Sequence, residues 1–160
     1  MLKNIKLSII FCLFTTLGFA QEKAYMPLFE VINMHPDFQY SSTRLLKTYV
    51  DGAGKYILLI PSKEEKAVES IETAQKKAAA MKVKYFVIGS LNRIGEKVVV
   101  NVSLFNTNDA SVVWSDQLKA QDPDDLDPIF EKIGNNMGTR TKARDDENIF
   151  TVTKAESQQL

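Results

Sequence analysis

The stretch from Lys97 to Trp114 limits the fold of this chain more than any other part of its sequence. Over positions 98–105 valine and leucine alternate with other residues, and a repeat of two is the period of a β-strand that faces a core. Residues that favour tight reversals follow at 106–109, and apolar residues resume at 112–114. The pattern predicts a β-hairpin whose buried side chains are Val98, Val100, Val102 and Leu104.

Residues 1–20 have the pattern of a secretory signal peptide. Lys3 and Lys6 precede an apolar run at 7–19, and small residues end the segment, so the mature chain is expected to begin at Gln21. A membrane anchor is the alternative, but the run falls short of the ~20 apolar residues of a spanning helix. The chain is therefore predicted to be exported, to the periplasm or the outer membrane, with no spanning segment after cleavage.

Cleavage would remove the only cysteine, Cys12, which follows Phe11 rather than the small residue that precedes a lipoprotein cysteine. The mature chain could then form no disulfide, and its fold would depend on an apolar core, for which roughly 140 residues are ample. It would keep 18 of the 20 basic residues and all 20 acidic ones, a balance of 18 − 20 = −2. Because nucleic acids are bound by concentrated basic surfaces, no nucleic-acid partner is expected.

Upstream of the hairpin, strand and helix patterns alternate. Residues 24–33 predict a first strand, a short helix follows from Ser41 or Ser42 to Gly52, and 55–61 predict a buried strand. Ser62 and Glu65 form a capping-box pattern that predicts the start of a second helix. The lysines near the end of that helix are interpreted as a solvated face. Its apolar stripe is predicted at Val68, Ile71, Ala74, Ala78 and Met81.

Two further patterns complete the domain. Odd and even positions of 85–91 are both apolar, so the two sides of this strand are buried, which predicts a central strand. Gly89 within it indicates a bulge or a close backbone approach. A last helix is predicted to stop at Gly138. Its apolar positions are Leu126, Ile129, Phe130, Ile133 and Met137. The order β-α-β-α-β-β-β-α predicts an α+β domain at 21–138, with a mixed sheet of about five strands and helices packed on it.

Residues 139–160 differ in composition from the domain. Positions 139–147 are almost all charged or polar and predict a flexible linker. Thr153 and Glu156 form a second capping-box pattern, but the few residues after it cannot sustain a helix alone. The tail is predicted to stay flexible, to dock on the domain or a partner, or to be the remnant of a longer chain.

No catalytic, cofactor or metal site is predicted. His35 is the only histidine, which excludes a two-histidine metal site, and it is interpreted as a polar residue that leaves a strand. The acidic run at 122–127 lacks the glycine and glutamate of a twelve-residue calcium loop, so capping of the last helix and complementarity to its dipole account for it. Tyr85, Phe105 and Trp114 are assigned to the core or the half-buried sheet.

The segment YFVIGSLNRIGEKVVVNVSLFNTNDASVVWSDQL, at 85–118, resembles the amino-terminal domain of the TolB translocation protein and its relatives. Those relatives include the periplasmic domain of the curli secretion channel and the lipoprotein activators of penicillin-binding proteins. The shared pattern is an aromatic-apolar strand that ends in Gly89-Ser90, a turn with Gly95, a valine-rich strand, a polar tip and a strand that ends in Trp114. The resemblance covers about residues 25–138.

The resemblance implies an anticodon-binding-like fold and a non-enzymatic role in protein contacts of the cell envelope. It carries over no partner and no catalytic residue. At the hairpin tip Asp109-Ala110 stands where relatives commonly have Thr-Gly, and the carboxy-terminal propeller of TolB is absent.

Partner binding is predicted at the hairpin, because an exposed edge strand offers unpaired N–H and C=O groups to a strand of another protein. The predicted contact residues lie at the tip and on the last strand: Asn106, Thr107, Asn108, Asp109, Ser115, Asp116 and Gln117. The leading hypothesis is an exported domain that binds envelope proteins. Two alternatives stay open: a self-associating subunit of an outer-membrane assembly, and, less favoured, a small secreted enzyme that uses His35 with a carboxylate.

Overall fold

The structure is a computed structural model that describes residues 20–63, 65, 70–122 and 125–142. The predicted signal peptide and the tail beyond Lys142 lie outside the described residues. The elements are β1 (Glu22–Tyr25), β2 (Glu30–Ile32), α1 (Phe38–Gly52), β3 (Tyr56–Leu59), α2 (Ile71–Ala80), β4 (Tyr85–Ile94), β5 (Lys97–Asn106), β6 (Val112–Ala120) and α3 (Leu126–Thr139).

The described strands form one mixed sheet. Its order is β3-β1-β4-β5-β6, and β2 pairs with β4 beyond the end of β1. β1, β2 and β3 run parallel to their neighbours, whereas β4, β5 and β6 form an antiparallel meander. The predicted α+β class, the mixed sheet and the hairpin are confirmed, and the sheet has six strands rather than about five.

The first predicted strand is divided into β1 and β2. Proline has no N–H for a strand ladder, and Pro27 lies in the four-residue segment that separates the two strands. Both strands nevertheless pair with β4, at Tyr25–Phe86 and again at Glu30–Ser90. The connecting segment turns Phe29 into the core, where its N–H binds Thr43 Oγ1 at 2.9 Å.

Helices cover both faces of the sheet. α1 and α3 pack on the face that carries the predicted hairpin core, and Val98, Val100, Val102 and Leu104 are fully buried there. On the other face α2 contributes Ala74 and Ala78 to a smaller cluster with Tyr25, Phe86 and Phe105. Tyr85, Phe105 and Trp114 are buried, as the sequence indicated.

The start of α2 was predicted too early. The helix begins at Ile71, and Ser70 caps it by accepting a hydrogen bond from the N–H of Thr73 at 3.2 Å. Ser62 and Glu65 instead share a backbone hydrogen bond of 3.2 Å before the helix. Ile71 and Met81 are each 45% exposed, so only the alanines of the described stripe are buried. Val68 lies outside the described residues.

The boundaries of α3 also correct the prediction. The helix passes through Gly138, and Arg140 ends it in the left-handed region with φ 56°. Asp125 stands at the N-cap without a side-chain cap bond, so the capping interpretation of the acidic run is wrong for this residue. Asp127 has another role, because its carboxylate accepts a hydrogen bond from Tyr49 of α1 at 2.8 Å. That bond joins the two helices on one face of the sheet.

Candidate protein-interaction surface

β6 forms one edge of the sheet, and half of its backbone groups point away from β5. The N–H of Gln117 has this direction, because it donates to Asp116 Oδ1 at 3.0 Å instead of to a carbonyl of β5. Alternate residues of an antiparallel strand share the direction of their backbone groups, so Ser115 and Lys119 point the same way. Within the described residues no strand pairs with this outer side, which we call the β6 edge.

The opposite edge of the sheet, at β3, is closed by two side chains of α1. The N–H of Leu58 donates to Asp51 Oδ1 at 2.8 Å, and its carbonyl accepts from Lys47 Nζ at 2.7 Å. Lys47 and Asp51 also form an ion pair with each other. A partner strand at β3 would have to displace this pair, which we call the β3 clamp. The two edges of the sheet therefore differ in their availability for strand addition.

The hairpin tip is held in shape by its own polar groups. Asn106 Oδ1 accepts from the N–H of Asn108 at 2.9 Å, and Asp109 Oδ1 accepts from the N–H and the hydroxyl of Ser111 at 3.0 and 2.7 Å. The hydrogen bonds from Ser111 lower the pKa of Asp109, and the bond from the backbone N–H has the larger effect. The tip is also tied to the domain through Thr107, whose N–H binds the carbonyl of Lys84. It is therefore preorganised for contact.

The residues predicted to bind a partner differ in exposure. Three are exposed: Asn108, Asp109 and Gln117. Two are half-buried: Asn106 and Ser115. Thr107 and Asp116 are buried, at 7% and 8% exposure, and Asp116 binds Asn136 of α3 through Oδ2 at 2.8 Å. The side chains of these two residues support the surface from inside, and direct contact of the other five with a partner stays a prediction.

A polar sheet face adjoins the β6 edge and was missed by the sequence analysis as a candidate surface. It lies on the side of α2, beyond the part of the sheet that the described residues of α2 cover. Asn101 donates to Ser90 across the β4–β5 pair at 3.3 Å, and Ser103 lies opposite Ser115 on β6. The alternation of polar residues along β5 was the available signal, because it places them together on one face.

Residues just after α3 are bound to the sheet, although the sequence analysis assigned them to the tail. Arg140 donates to the hydroxyl of Tyr56 from Nε at 3.2 Å and from Nη2 at 3.0 Å, and Nη2 also lies 3.4 Å from the hydroxyl of Tyr85. The indole N–H of Trp114 on β6 donates to the carbonyl of Thr141. Thr141 therefore lies beside the start of β6.

His35 lies on the surface after β2, at the end of the sheet opposite the hairpin tip. Its Nδ1 is 3.3 Å from Asp37 Oδ2, and the two side chains are 70% and 81% exposed. Among the described residues no group of three or more histidine, cysteine, aspartate or glutamate side chains is arranged to hold a metal ion. None of the described helices is both long enough and apolar enough to cross a membrane.

Solved structures with a similar fold come from several bacteria. PelC from Paraburkholderia phytofirmans, a dodecamer, is 16% identical over 78% of this chain and 90% of its own, with a TM-score of 0.53. The C-terminal domain of LpoB from Salmonella enterica is 13% identical over 62% of this chain and 82% of its own, with a TM-score of 0.55. TolB from Acinetobacter baumannii is 12% identical over 73% of this chain and 28% of its own, with a TM-score of 0.50.

These likenesses show the fold. The chain has the TolB amino-terminal-like, anticodon-binding-like fold that the resemblance of residues 85–118 implied. Neither the known protein families nor the curated protein sequences contain a match to this chain.

Proposed function

We propose that this protein is an exported, non-enzymatic domain of the bacterial cell envelope that binds another envelope protein through the β6 edge and the hairpin tip. The fold that it shares with TolB and LpoB supports a role in envelope protein contacts, which the sequence resemblance implied. The N-terminal segment, with lysines before an apolar run, supports export.

One observation carries this proposal: the two edges of the sheet differ in whether side chains of the domain bind their outward backbone groups. The β3 clamp occupies the outward N–H and C=O of Leu58, whereas the backbone of Ser115 and Lys119 points outward from β6. Proteins block the edges that must not pair and leave open those that bind. A partner strand would add to β6 through backbone hydrogen bonds, and the exposed Asn108 and Asp109 would contact it beside the edge.

Gln117→Pro tests the site of binding. Proline at this position removes an outward N–H, which donates to Asp116 Oδ1 until a partner strand replaces that bond. The hydrogen bonds between β6 and β5 remain, so the domain should stay folded. Gln117→Ala is the matched control, since it removes the side chain but keeps the N–H. In an envelope crosslinking pull-down, the proline variant is expected to lose its partner while the alanine variant retains it.

Two results would contradict the placement of the interface. One is a proline variant that melts at the same temperature as the alanine variant and still captures the same partner. The other is retention of every partner when Asn108 and Gln117 are both replaced by lysine, because charges at the tip and the edge should disrupt contacts there.

Deletion of the tail tests whether residues after the domain take part. Because Arg140 and Thr141 contact Tyr56 and Trp114, the deletion should begin at position 143 and not at 139. A deletion from 139 would disturb the sheet as well and would confuse loss of folding with loss of binding.

Self-association is the second candidate function, and one observation favours it: PelC, which has a similar fold, is a dodecamer. In this case a second copy of the chain would occupy the β6 edge. Light scattering of the purified protein separates the candidates. A defined oligomer that Gln117→Pro dissociates supports self-association, and a monomer at working concentration rejects it.

A further inference from the structure

One end of the sheet collects basic side chains from four separate segments, which lie beside the hairpin tip. The strand pairs Glu22–Tyr56 and Tyr85–Asn106 bring the starts of β1, β3 and β4 beside the hairpin tip. The end of α2 joins them through the hydrogen bond from Gln75 Nε2 to the carbonyl of Thr107, 2.8 Å long. Residues after α3 join them through Arg140 and Tyr56. We call this region, formed by 20–23, 53–55, 75–84, 106–110 and 139–142, the basic end.

The charge of the basic end is opposite to that of the whole mature chain. It has eight basic residues: Lys23, Lys55, Lys76, Lys77, Lys82, Lys84, Arg140 and Lys142. Three acidic residues accompany them: Glu22 and Asp109 of these segments, and Glu65, whose carboxylate lies 3.2 Å from Lys77 Nζ. Among the described residues its balance is therefore 8 − 3 = +5. The predicted mature chain, 21–160, has a balance of −2, so the remainder must be acidic. A single-sign patch of this kind attracts anionic partners.

Aromatic rings hold several of these cations in place. Lys84 Nζ lies 4.9 Å from the ring centre of Tyr85, and Lys55 Nζ lies 5.7 Å from that of Tyr56. The contact with Tyr85, and then that with Glu22, raises the pKa of Lys84, so the ammonium stays charged at neutral pH. Beside them Lys76, Lys82 and Lys84 line one open cleft with Gln75 and Thr107.

We propose that the basic end docks the exported domain on anionic phospholipid headgroups of a membrane. A flat array of phosphate groups is complementary to several lysines spread over one surface, and each basic residue near such a membrane contributes about 1 kcal/mol of binding. This contact leaves the β6 edge free for a protein partner, because Ser115, Gln117 and Lys119 lie along β6 beyond the hairpin tip. The tip itself adjoins both surfaces, since Asn108 lines the cleft with the lysines.

The position of the apolar run at 7–19 favours a membrane over other anionic partners. Ala20 and Glu22 line a second cleft at the basic end, together with Lys55. Glu22 follows the apolar run by three residues, which span at most about 10 Å when extended. That distance is close to the screening length of about 8 Å at physiological salt. Before cleavage, while the apolar run lies in a bilayer, the basic end therefore lies within electrostatic reach of its headgroups, so the domain is delivered beside an anionic surface.

Vesicle binding tests the proposal with the protein purified after export in a bacterial host. The protein is expected to sediment with vesicles that contain phosphatidylglycerol and not with vesicles of pure phosphatidylcholine. Binding should disappear in about 1 M salt, where the screening length falls to about 3 Å.

Lys76→Gln with Lys82→Asn removes two charges from the basic end. Asparagine suits position 82, where φ is 55°, because it tolerates the left-handed region. The double variant should bind about 25-fold more weakly, or about fivefold for each charge at about 1 kcal/mol. Lys97→Gln with Arg93→Gln is the control of equal net charge at the opposite end of the sheet, and it should bind as the unaltered protein does.

Three outcomes would overturn the proposal. The first is equal binding to both kinds of vesicle, and the second is equal weakening in the two double variants, which would indicate net charge alone. The third is binding to a soluble polyanion such as polyglutamate without binding to phosphatidylglycerol vesicles, since that result assigns the basic end to an acidic macromolecule. Thermal unfolding of both variants confirms that the domain is intact.

Discussion

Gly89 and Phe29 join two parts of the sheet through one close contact. A Cβ built on Gly89 would lie 2.6 Å from Cζ of Phe29, a separation that side chains do not tolerate. The ring of Phe29 also packs edge-on against Phe130 of α3, with centroids 5.5 Å apart. The absence of a side chain at position 89 thus lets the segment between β1 and β2 enter the core.

Gly89→Ala is expected to destabilise the domain by about 1–3 kcal/mol, because the added methyl group overpacks the core against Phe29. Gly52→Ala is the matched control, since nothing lies within 4 Å of a Cβ at position 52. Urea unfolding measures both variants. Adding Phe29→Leu to Gly89→Ala should relieve the clash and lessen the destabilisation caused by Gly89→Ala. Equal stability of Gly89→Ala and Gly52→Ala would show that the contact is not tight in solution.

The sequence predicted part of this contact. A glycine within an apolar strand indicated either a bulge or a close approach, and the pairing of β4 with β5 runs unbroken past Gly89, so the close approach is correct. The identity of the approaching residue could not be predicted. Phe29 reaches Gly89 because the chain interrupts its strand near Pro27, and that geometry depends on contacts between residues far apart in sequence.

Helix α1 protects one sheet edge at the scale of a whole element. Lys47 and Asp51 lie one turn apart on α1, and together they bind both backbone groups of Leu58 on β3. A clamp of this kind gives only modest stability, but it removes a template on which another strand could add. The sheet is therefore directed to associate on one side only.

Lys47→Ala with Asp51→Ala should open the β3 edge. The free energy of unfolding is expected to fall by about 1–3 kcal/mol, because two partly buried hydrogen bonds to Leu58 disappear. In sedimentation velocity the variant is expected to form larger species as its concentration rises. Arg44→Ala with Thr48→Ala, on exposed positions of the same helix, is the control. A clamp variant that sediments like this control at every concentration would disprove the protective role.

Elements that depend on local contacts were predicted from the sequence better than elements that depend on contacts between distant residues. The β5–β6 hairpin was predicted from its alternation alone, because its contacts are local and its core side chains repeat every two residues. The start of α2 was not, because Ser62 and Glu65 have the spacing of a capping box yet form a turn before the helix. The β3 clamp joins side chains of a helix to the next strand, and spacing along the chain does not show it.

Three tyrosines make the stability of the folded protein depend on pH in the alkaline range. Burial of Tyr56 raises its pKa above 10.0, and burial also raises that of Tyr25, while a hydrogen bond to Asp127 raises that of Tyr49. The folded state therefore holds protons that the unfolded state releases above about pH 10. Stability from these groups is fully present below that pH and is lost as the pH rises through the folded values.

Unfolding free energy is expected to fall as the pH rises above about 10, with a slope of up to about 1.4 kcal/mol per pH unit from Tyr56. Tyr56→Phe should make the decline shallower, because phenylalanine has no proton to lose, and Tyr40→Phe on α1 is the control. Urea titrations at several pH values measure the slopes. Parallel slopes for the two variants would exclude Tyr56 as a source of the decline.

Charge distribution was the least predictable property at this scale. The balance of −2 for the mature chain hides a basic end of +5, since its lysines and arginine come from segments between positions 20 and 142. The lysines at the end of α2 were interpreted as a solvated face, which is the ordinary meaning of such residues on a helix taken alone. Only the tertiary fold brings Lys76 beside Lys84 and places Lys84 and Arg140 at the same ring of Tyr85.

The chain contains a single tryptophan, and Trp114 lies on β6 at 4% exposure, tied to the carbonyl of Thr141. The fluorescence emission of Trp114 therefore reports on the environment of this strand without an added label. A ligand that rearranges this edge, or a cut that releases Thr141, would change the colour and intensity of that one signal, so the protein carries its own reporter for occupancy of the strand.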